Sequence, residues 1–152
     1  MNQDSNTKKY LETQIATASS EQLLLMLYDG AIRFLGRGRI AMEEKKYFES
    51  HEALLRAQKI VVELMCSLDR EKAEELTEHL TSLYLYMYQK LIEANIEKSL
   101  EKIDEVTNLL TTLRSGWREA VSTLRNERAP TGTDGPSLNP PQTPGSGISL
   151  QG

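Results

Sequence analysis

The absence of proline from residues 20–126 is the feature that most constrains the fold of this chain. Proline breaks the interior of a helix, and all five prolines of the 152 residues lie at or after Pro130. Within the proline-free stretch, apolar residues recur every three or four positions, which is the spacing of one face of an α-helix. No segment alternates with the period of two that marks a half-buried strand. The sequence therefore predicts an all-α fold.

The apolar pattern predicts four helices, at about 20–44, 47–68, 71–95 and 99–126. Ser19 suits the N-cap of the first helix, because Gln22 follows at the spacing of a capping box. Long helices with short connections bury their apolar stripes by packing antiparallel, which gives an up-down four-helix bundle. The residues expected in its core are Leu24, Leu27, Tyr28, Ala31, Phe34 and Leu35 from the first helix, Leu54, Ala57, Val61, Leu64 and Leu68 from the second, Leu76, Leu80, Leu83, Tyr84, Met87 and Leu91 from the third, and Ile103, Val106, Leu110, Leu113, Trp117, Ala120 and Leu124 from the fourth.

Composition divides the chain into an N-terminal segment (1–18), the bundle (19–126) and a C-terminal tail (127–152). From residue 129 onwards the sequence holds one charged residue, Asp134, and no aromatic residue. Such a segment buries too little apolar surface to offset its ordering entropy, so a disordered tail rich in proline and glycine is expected.

The net charge of −4 argues against nucleic acid or an anionic membrane as the main partner, since both select for basic surfaces. The first nine residues are polar, and no apolar stretch approaches the roughly 20 residues of a membrane span. We therefore expect a soluble cytoplasmic protein without membrane insertion. Cys66, the single cysteine, lies among apolar residues and is expected to be a small buried hydrophobe.

The sequence offers no catalytic, cofactor or metal site with a recognisable spacing. Glu-x-x-His pairs, which bind two metal ions in helical bundles, are absent, because leucine precedes His79 and phenylalanine precedes His51 at that offset. A histidine phosphotransfer bundle remains a competing class, although acidic neighbours disfavour a phosphoryl group at either histidine.

A small basic cluster occurs in the first helix. Arg33, Arg37 and Arg39 can form a phosphate site, but a solvated face balanced by Glu43 and Glu44 is the favoured interpretation.

The first and third helices carry more apolar residues than one core-facing stripe requires. Such a surplus indicates either a binding groove or an irregular core with tyrosines reaching water. The segment 10–18 can fold back as a cap over such a groove, and self-association or a partner helix can also cover it. The candidate residues are Tyr10, Leu11 and Ile15 for the cap, and Leu25, Ile32, Leu85, Tyr88 and Ile92 for the groove.

Four blocks of the sequence are similar to a known family. The run TASSEQLLLMLYDGAIRFL (17–35) resembles the opening helix of FliS, a family of flagellar export chaperones, and residues 56–69, 83–95 and 109–119 resemble its next three helices. The family commonly has proline where this chain has Ser20, which affects only helix initiation.

The resemblance implies an antiparallel four-helix bundle that performs no catalysis. Its members bind the disordered C-terminal segment of flagellin in the cytoplasm, keep flagellin monomeric, and help present it to a component of the type III export gate. The resemblance also implies that a tyrosine, here Tyr10, caps the client cleft. A homodimer, or a purely structural homo-oligomer, remains an alternative.

Overall fold

The computed structural model describes residues 2–69 and 71–128. These residues form five helices, namely α1 (Asn2–Thr17), α2 (Ser20–Glu43), α3 (Tyr47–Cys66), α4 (Glu74–Glu97) and α5 (Leu100–Arg128). The described part of the chain contains no strand, and the expected all-α class is confirmed. The predicted disordered tail, apart from its first two residues in α5, lies outside the described residues.

The chain divides into two compact units after Arg114. The first holds α1 to α4 and the first half of α5, and it contains the bundle core. In the described part of the second unit, which is the end of α5, Trp117 is half-buried while Ala120 and Leu124 are exposed. The burial expected at these last two positions is therefore wrong.

The start of α2 agrees with the expected capping box. The amide of Gln22 donates to Oγ of Ser19 at 3.2 Å, and the amide of Ser19 donates to Oε1 of Gln22 at 3.0 Å. These two bonds satisfy amides that the first turn of a helix leaves without a partner. The N-terminal segment that precedes this cap is itself helical (α1).

The third predicted helix begins three residues later than expected, at Glu74. The amide of Glu71 donates to the carboxylate of Asp69 at 3.1 Å, which holds this segment in a turn. Thr77 is buried and its hydroxyl donates to the carbonyl of Asp69 at 3.3 Å. Thr77 therefore takes the core position expected for Leu76, which is 51% exposed.

Contacts between neighbouring helices establish the antiparallel order. A Cβ added at Gly30 would lie 3.2 Å from Ile60, and one added at Gly38 would lie 3.3 Å from Leu54, so α2 and α3 run in opposite directions and approach closely. Asn95 hydrogen-bonds His51 at 2.8 Å between α4 and α3. Further contacts join Tyr86 to Glu105 and Lys102 to Glu93 between α4 and α5, and Arg39 to Asp104 and Arg114 to Asp29 between α2 and α5.

The core lies where the inner stripes of α2 to α5 meet. Most of the expected core residues are buried, and the largest side chains there are Tyr28, Tyr84, Leu35, Leu54, Leu64, Met87, Leu91, Ile103 and Leu110. The hydroxyl groups of Tyr28 and Tyr84 share a hydrogen bond in this core. No helix in the described part of the chain is both long and apolar enough to cross a membrane.

Candidate functional site

Exposed apolar side chains form two rows on neighbouring helices, which we call the α3–α4 face. Helix α3 contributes Phe48, Leu55 and Val62, and α4 contributes Leu85, Ile92 and Ile96, all between 37% and 75% exposed. Residues seven apart in a helix lie on the same side, two turns from each other. The row on α3 therefore spans about 21 Å, at a rise of roughly 1.5 Å per residue.

A groove of about 420 Å³ lies within the α3–α4 face. Its lining includes Leu55 and Val62 from α3 and the half-buried Tyr88 from α4. The hydrogen bond between His51 and Asn95 joins the two helices near Phe48 and Ile96. An elongated apolar surface with a central groove can accept the apolar side of an amphipathic segment.

Charged pairs hold other sides of the bundle. Arg39 donates from Nε and Nη2 to the two carboxylate oxygens of Asp104 at 2.7 and 3.0 Å, between α2 and α5. These hydrogen bonds hold the pKa of Asp104 below its ordinary value. Lys102 of α5 bridges to Glu93 of α4 at 3.0 Å, and its hydrogen bonds lower the pKa of that carboxyl. No ion pair between described residues joins α3 to α4, and the polar residues Gln58, Lys59 and Glu63 of α3 also line the groove.

The five groove residues predicted from sequence lie on two different sides of the bundle. Leu85, Tyr88 and Ile92 belong to the α3–α4 face. Leu25 and Ile32 are half-buried on the side of α2 that also carries Asp29 and Arg39, both of which pair with α5. The structure therefore brings the three α4 positions together and does not join the two α2 positions to them.

Sequence reasoning did not identify the α3 half of this surface. The signal was the seven-residue spacing of Phe48, Leu55 and Val62. This spacing is easily overlooked because Leu55 and Val62 directly follow the buried residues Leu54 and Val61. The exposed row is therefore hard to distinguish from the core stripe in the sequence.

The predicted cap residues Tyr10, Leu11 and Ile15 lie on α1. Their side chains are 68%, 46% and 49% exposed. In this arrangement they are available to a partner, and their action as a displaceable cap stays a prediction.

A second groove, of about 340 Å³, lies between the start of α2 and the end of α3. It is lined by apolar side chains that include Leu23, Leu24 and Leu27, and by Cys66. The expectation that Cys66 is buried is wrong. It is the last residue of α3 and lies two positions after Leu64, which occupies the core-facing side of the helix.

The histidine, cysteine and acidic side chains of the described residues were expected to form no metal site. No group of three or more histidine, cysteine, aspartate or glutamate side chains in that part of the chain is arranged to hold a metal ion. The His79 ring hydrogen-bonds the carbonyl of Glu75 at 2.9 Å, within its own helix.

Known proteins resemble this chain in sequence and in fold. The sequence model of the family described as "Flagellar protein FliS" matches residues 1–124. A "Flagellar secretion chaperone FliS" of Campylobacter jejuni is 34% identical over 110 residues, covering 72% of this chain and 86% of the relative. The protein of the same name from Bacillus subtilis is 32% identical over 119 residues, covering 78% and 88%.

A solved structure described as "Crystal structure of flagellar chaperone from bacteria" has a similar fold. The TM-score is 0.65 at 19% sequence identity, over 80% of this chain and 98% of the other. At this identity the likeness supports the fold, and the four-helix arrangement is confirmed by it.

Proposed function

The chain belongs to the FliS family, and from that premise we propose that it is a cytoplasmic export chaperone for flagellin. In this proposal it binds the disordered C-terminal segment of flagellin, prevents premature polymerisation and assists type III export. Relatives of this chain are named flagellar secretion chaperones, which supports the role in secretion and a function without catalysis.

The observation that carries the proposal is the α3–α4 face. Its exposed apolar rows run along antiparallel helices and flank a groove lined by Leu55, Val62 and Tyr88. A client segment that forms a helix on binding presents apolar residues every three or four positions, which matches such a surface. Burying these side chains supplies the favourable free energy, at about 25 cal/mol for each Å² of apolar surface removed from water.

We expect this binding to block the polymerisation of flagellin, because a flagellin segment bound to the chaperone cannot contact another flagellin molecule at the same time. Filaments grow by head-to-tail contacts that do not close, so covering one side of that contact stops growth. A client that becomes ordered on binding loses conformational entropy, which lowers its net affinity. Release to a component of the export gate then requires no nucleotide site on the chaperone.

Helix α1 supplies the proposed regulation of this site. Tyr10, Leu11 and Ile15 are exposed apolar side chains on a segment that precedes the bundle. We expect them to cover apolar surface in the absence of client and to be displaced by flagellin.

Calorimetric titration with the matched flagellin tests the function. Saturable binding is expected for full-length flagellin, with a negative change in heat capacity from apolar burial. Flagellin that lacks its C-terminal segment is expected not to bind. Equal binding of both forms would place the contact elsewhere on flagellin and contradict the proposal, as would the absence of binding to either.

Self-association is the second candidate use of the exposed apolar face, since a second copy of the chain can also cover it. Light scattering with and without flagellin separates the two functions. A chaperone forms a complex of defined stoichiometry with client, whereas a structural oligomer keeps its size when client is added.

A further inference from the structure

Three arginine side chains converge on one aromatic ring on the α2–α3 side of the bundle. The guanidinium carbons of Arg33, Arg37 and Arg56 lie 5.9, 5.4 and 5.6 Å from the centroid of the Phe34 ring. The three arginines are exposed and Phe34 is half-buried. We call Arg33, Arg37, Arg56 and Phe34 the arginine patch. Two of its arginines come from α2 and one from α3, so the fold itself assembles it.

The other two described arginines of the first unit are neutralised by carboxylates. Arg39 pairs with Asp104 and Glu43, and Arg114 pairs with Asp29. Among the described residues, no carboxylate oxygen lies within 4.0 Å of the three patch arginines. The patch is therefore a cationic cluster without an internal counter-charge.

The structure agrees only in part with the sequence-based interpretation of Arg33, Arg37 and Arg39 as a solvated face balanced by Glu43 and Glu44. Glu43 pairs with Arg39 at 2.8 Å, and Glu44 pairs with Lys46 at 3.0 Å. Arg39 points to α5 and leaves the cluster, while Arg56 joins it from a distant part of the sequence. Glu43 therefore balances Arg39 as expected, whereas Glu44 pairs with a lysine outside the cluster.

Gathering three cations around one ring has an electrostatic penalty in the free protein. Attraction between the guanidinium groups and the ring face offsets part of it. At physiological ionic strength the screening length is about 8 Å, so salt screens this repulsion and the penalty is largest at low ionic strength. A partner that supplies negative charge at this position relieves that repulsion as well as forming new hydrogen bonds.

We propose that the arginine patch binds an acidic segment of a partner protein in which aspartate or glutamate residues alternate with apolar ones. Guanidinium groups hydrogen-bond carboxylates through two parallel N–H donors, and the half-buried Phe34 ring offers apolar surface to an apolar neighbour of the carboxylates. The net charge of −4 for the whole chain disfavours long polyanions such as nucleic acid, which interact with a wide area of surface. A short acidic segment contacts only the patch.

This site goes beyond the proposed flagellin chaperone, because it lies on the α2–α3 side and recognises charge instead of an apolar stripe. It gives the protein a second kind of contact, in which two arginines of α2 and one of α3 recognise negative charge.

Fluorescence anisotropy with a labelled peptide that alternates glutamate with leucine tests the proposal directly. The comparison peptide has glutamine in place of glutamate. The test variant carries Arg33→Gln, Arg37→Gln and Arg56→Gln, and the matched control carries Lys8→Gln, Lys9→Gln and Lys72→Gln, which removes the same charge from exposed lysines outside the patch. Circular dichroism melting confirms that each variant retains the fold.

We expect the glutamate peptide to bind the full chain about tenfold or more tightly than the glutamine peptide. The arginine variant should lose that preference, while the lysine variant changes affinity by less than about twofold, because charge-assisted contacts depend on where the charges lie. Equal losses in both variants, or no discrimination between the peptides, would overturn the proposal. Displacement of the peptide by a short DNA duplex at comparable concentration would also overturn it, in favour of a general polyanion site. The assay contains no flagellin, so its outcome does not depend on the chaperone function.

Discussion

The hydroxyl groups of Tyr28 on α2 and Tyr84 on α4 meet in a hydrogen bond inside the core of the bundle. Both side chains are almost fully buried, at 0% and 1% exposure. A buried hydroxyl without a partner is destabilising. The pair therefore links two helices that are not consecutive in the chain, and it favours one position of α2 relative to α4 along the bundle axis.

Replacing one tyrosine of this pair by phenylalanine removes the hydrogen bond that joins α2 to α4. We expect Tyr84→Phe to lower the free energy of unfolding by about 1–3 kcal/mol, since the Tyr28 hydroxyl then loses this bond in the core. The double variant Tyr28→Phe with Tyr84→Phe should lose clearly less than the sum of the two single variants. Urea denaturation of all four proteins measures this, and strict additivity would show that the pair is not coupled.

The core position Leu110 gives a measure of packing at the centre of α5. Its side chain is fully buried, so Leu110→Ala should leave a cavity and lower the free energy of unfolding by about 2–5 kcal/mol. Leu124→Ala, at an exposed leucine of the same helix, is the control and should change stability little. Similar losses at both positions would contradict the burial assigned to Leu110.

Substitutions on the α3–α4 face should separate client binding from stability. Leu55→Ser and Ile92→Ser are each expected to weaken flagellin binding by about fivefold or more, as truncation of a central apolar contact does, with little change in melting temperature. The control is Ile40→Ser, at a more exposed apolar residue of α2 outside this face. Calorimetric titration measures the affinities. If Ile40→Ser were as harmful as Leu55→Ser, client contact would not be confined to the face.

The ion pair of Arg39 with Asp104 should make part of the stability depend on acid pH. Hydrogen bonds from Arg39 hold the pKa of Asp104 below its ordinary value of 3.8. A carboxyl with a lowered pKa in the folded state adds stability that is fully present above the ordinary value and is lost as the pH falls through the lowered one. The wild type should therefore be more stable than Asp104→Asn at neutral pH, and the difference should vanish at strongly acid pH. Thermal melting of both proteins across this pH range measures the difference in stability. A difference that does not change with pH would show that it does not arise from the ionisation of Asp104.

Much of the bundle could be predicted from local sequence signals. The spacing of apolar residues located the four bundle helices, and the capping box of Ser19 and Gln22 located the start of α2, because both depend on residues within a few positions of each other. The predicted start of α4 is wrong because the true start depends on a hydrogen bond between Thr77 and Asp69. These residues are eight positions apart, and no periodic pattern in the sequence indicates their contact.

The candidate surfaces were less predictable because they depend on how each helix is rotated about its axis. Surplus apolar residues on α2 and α4 were recognised, but only packing decided that Leu25 and Ile32 lie near the α5 side while Leu85, Tyr88 and Ile92 lie near α3. The arginine patch shows the same limit. Arg56 lies on α3 and Phe34 on α2, so only the packing of the two helices brings them together.

Helix α1 has no buried side: every residue from Asp4 to Thr17 is exposed. An isolated helix of this length is marginal in water, because its order rests on propensity without tertiary packing. In this exposed arrangement its amide hydrogens should exchange with solvent almost as freely as those of an unfolded peptide, whereas those of the α3 core exchange only when the bundle opens. Docking of α1 as a cap would slow the exchange of its own amides, so the same measurement reports whether the cap forms. A partner that binds α1 must therefore offset the conformational entropy that this helix loses on becoming ordered, a cost that does not arise for a partner of the packed bundle.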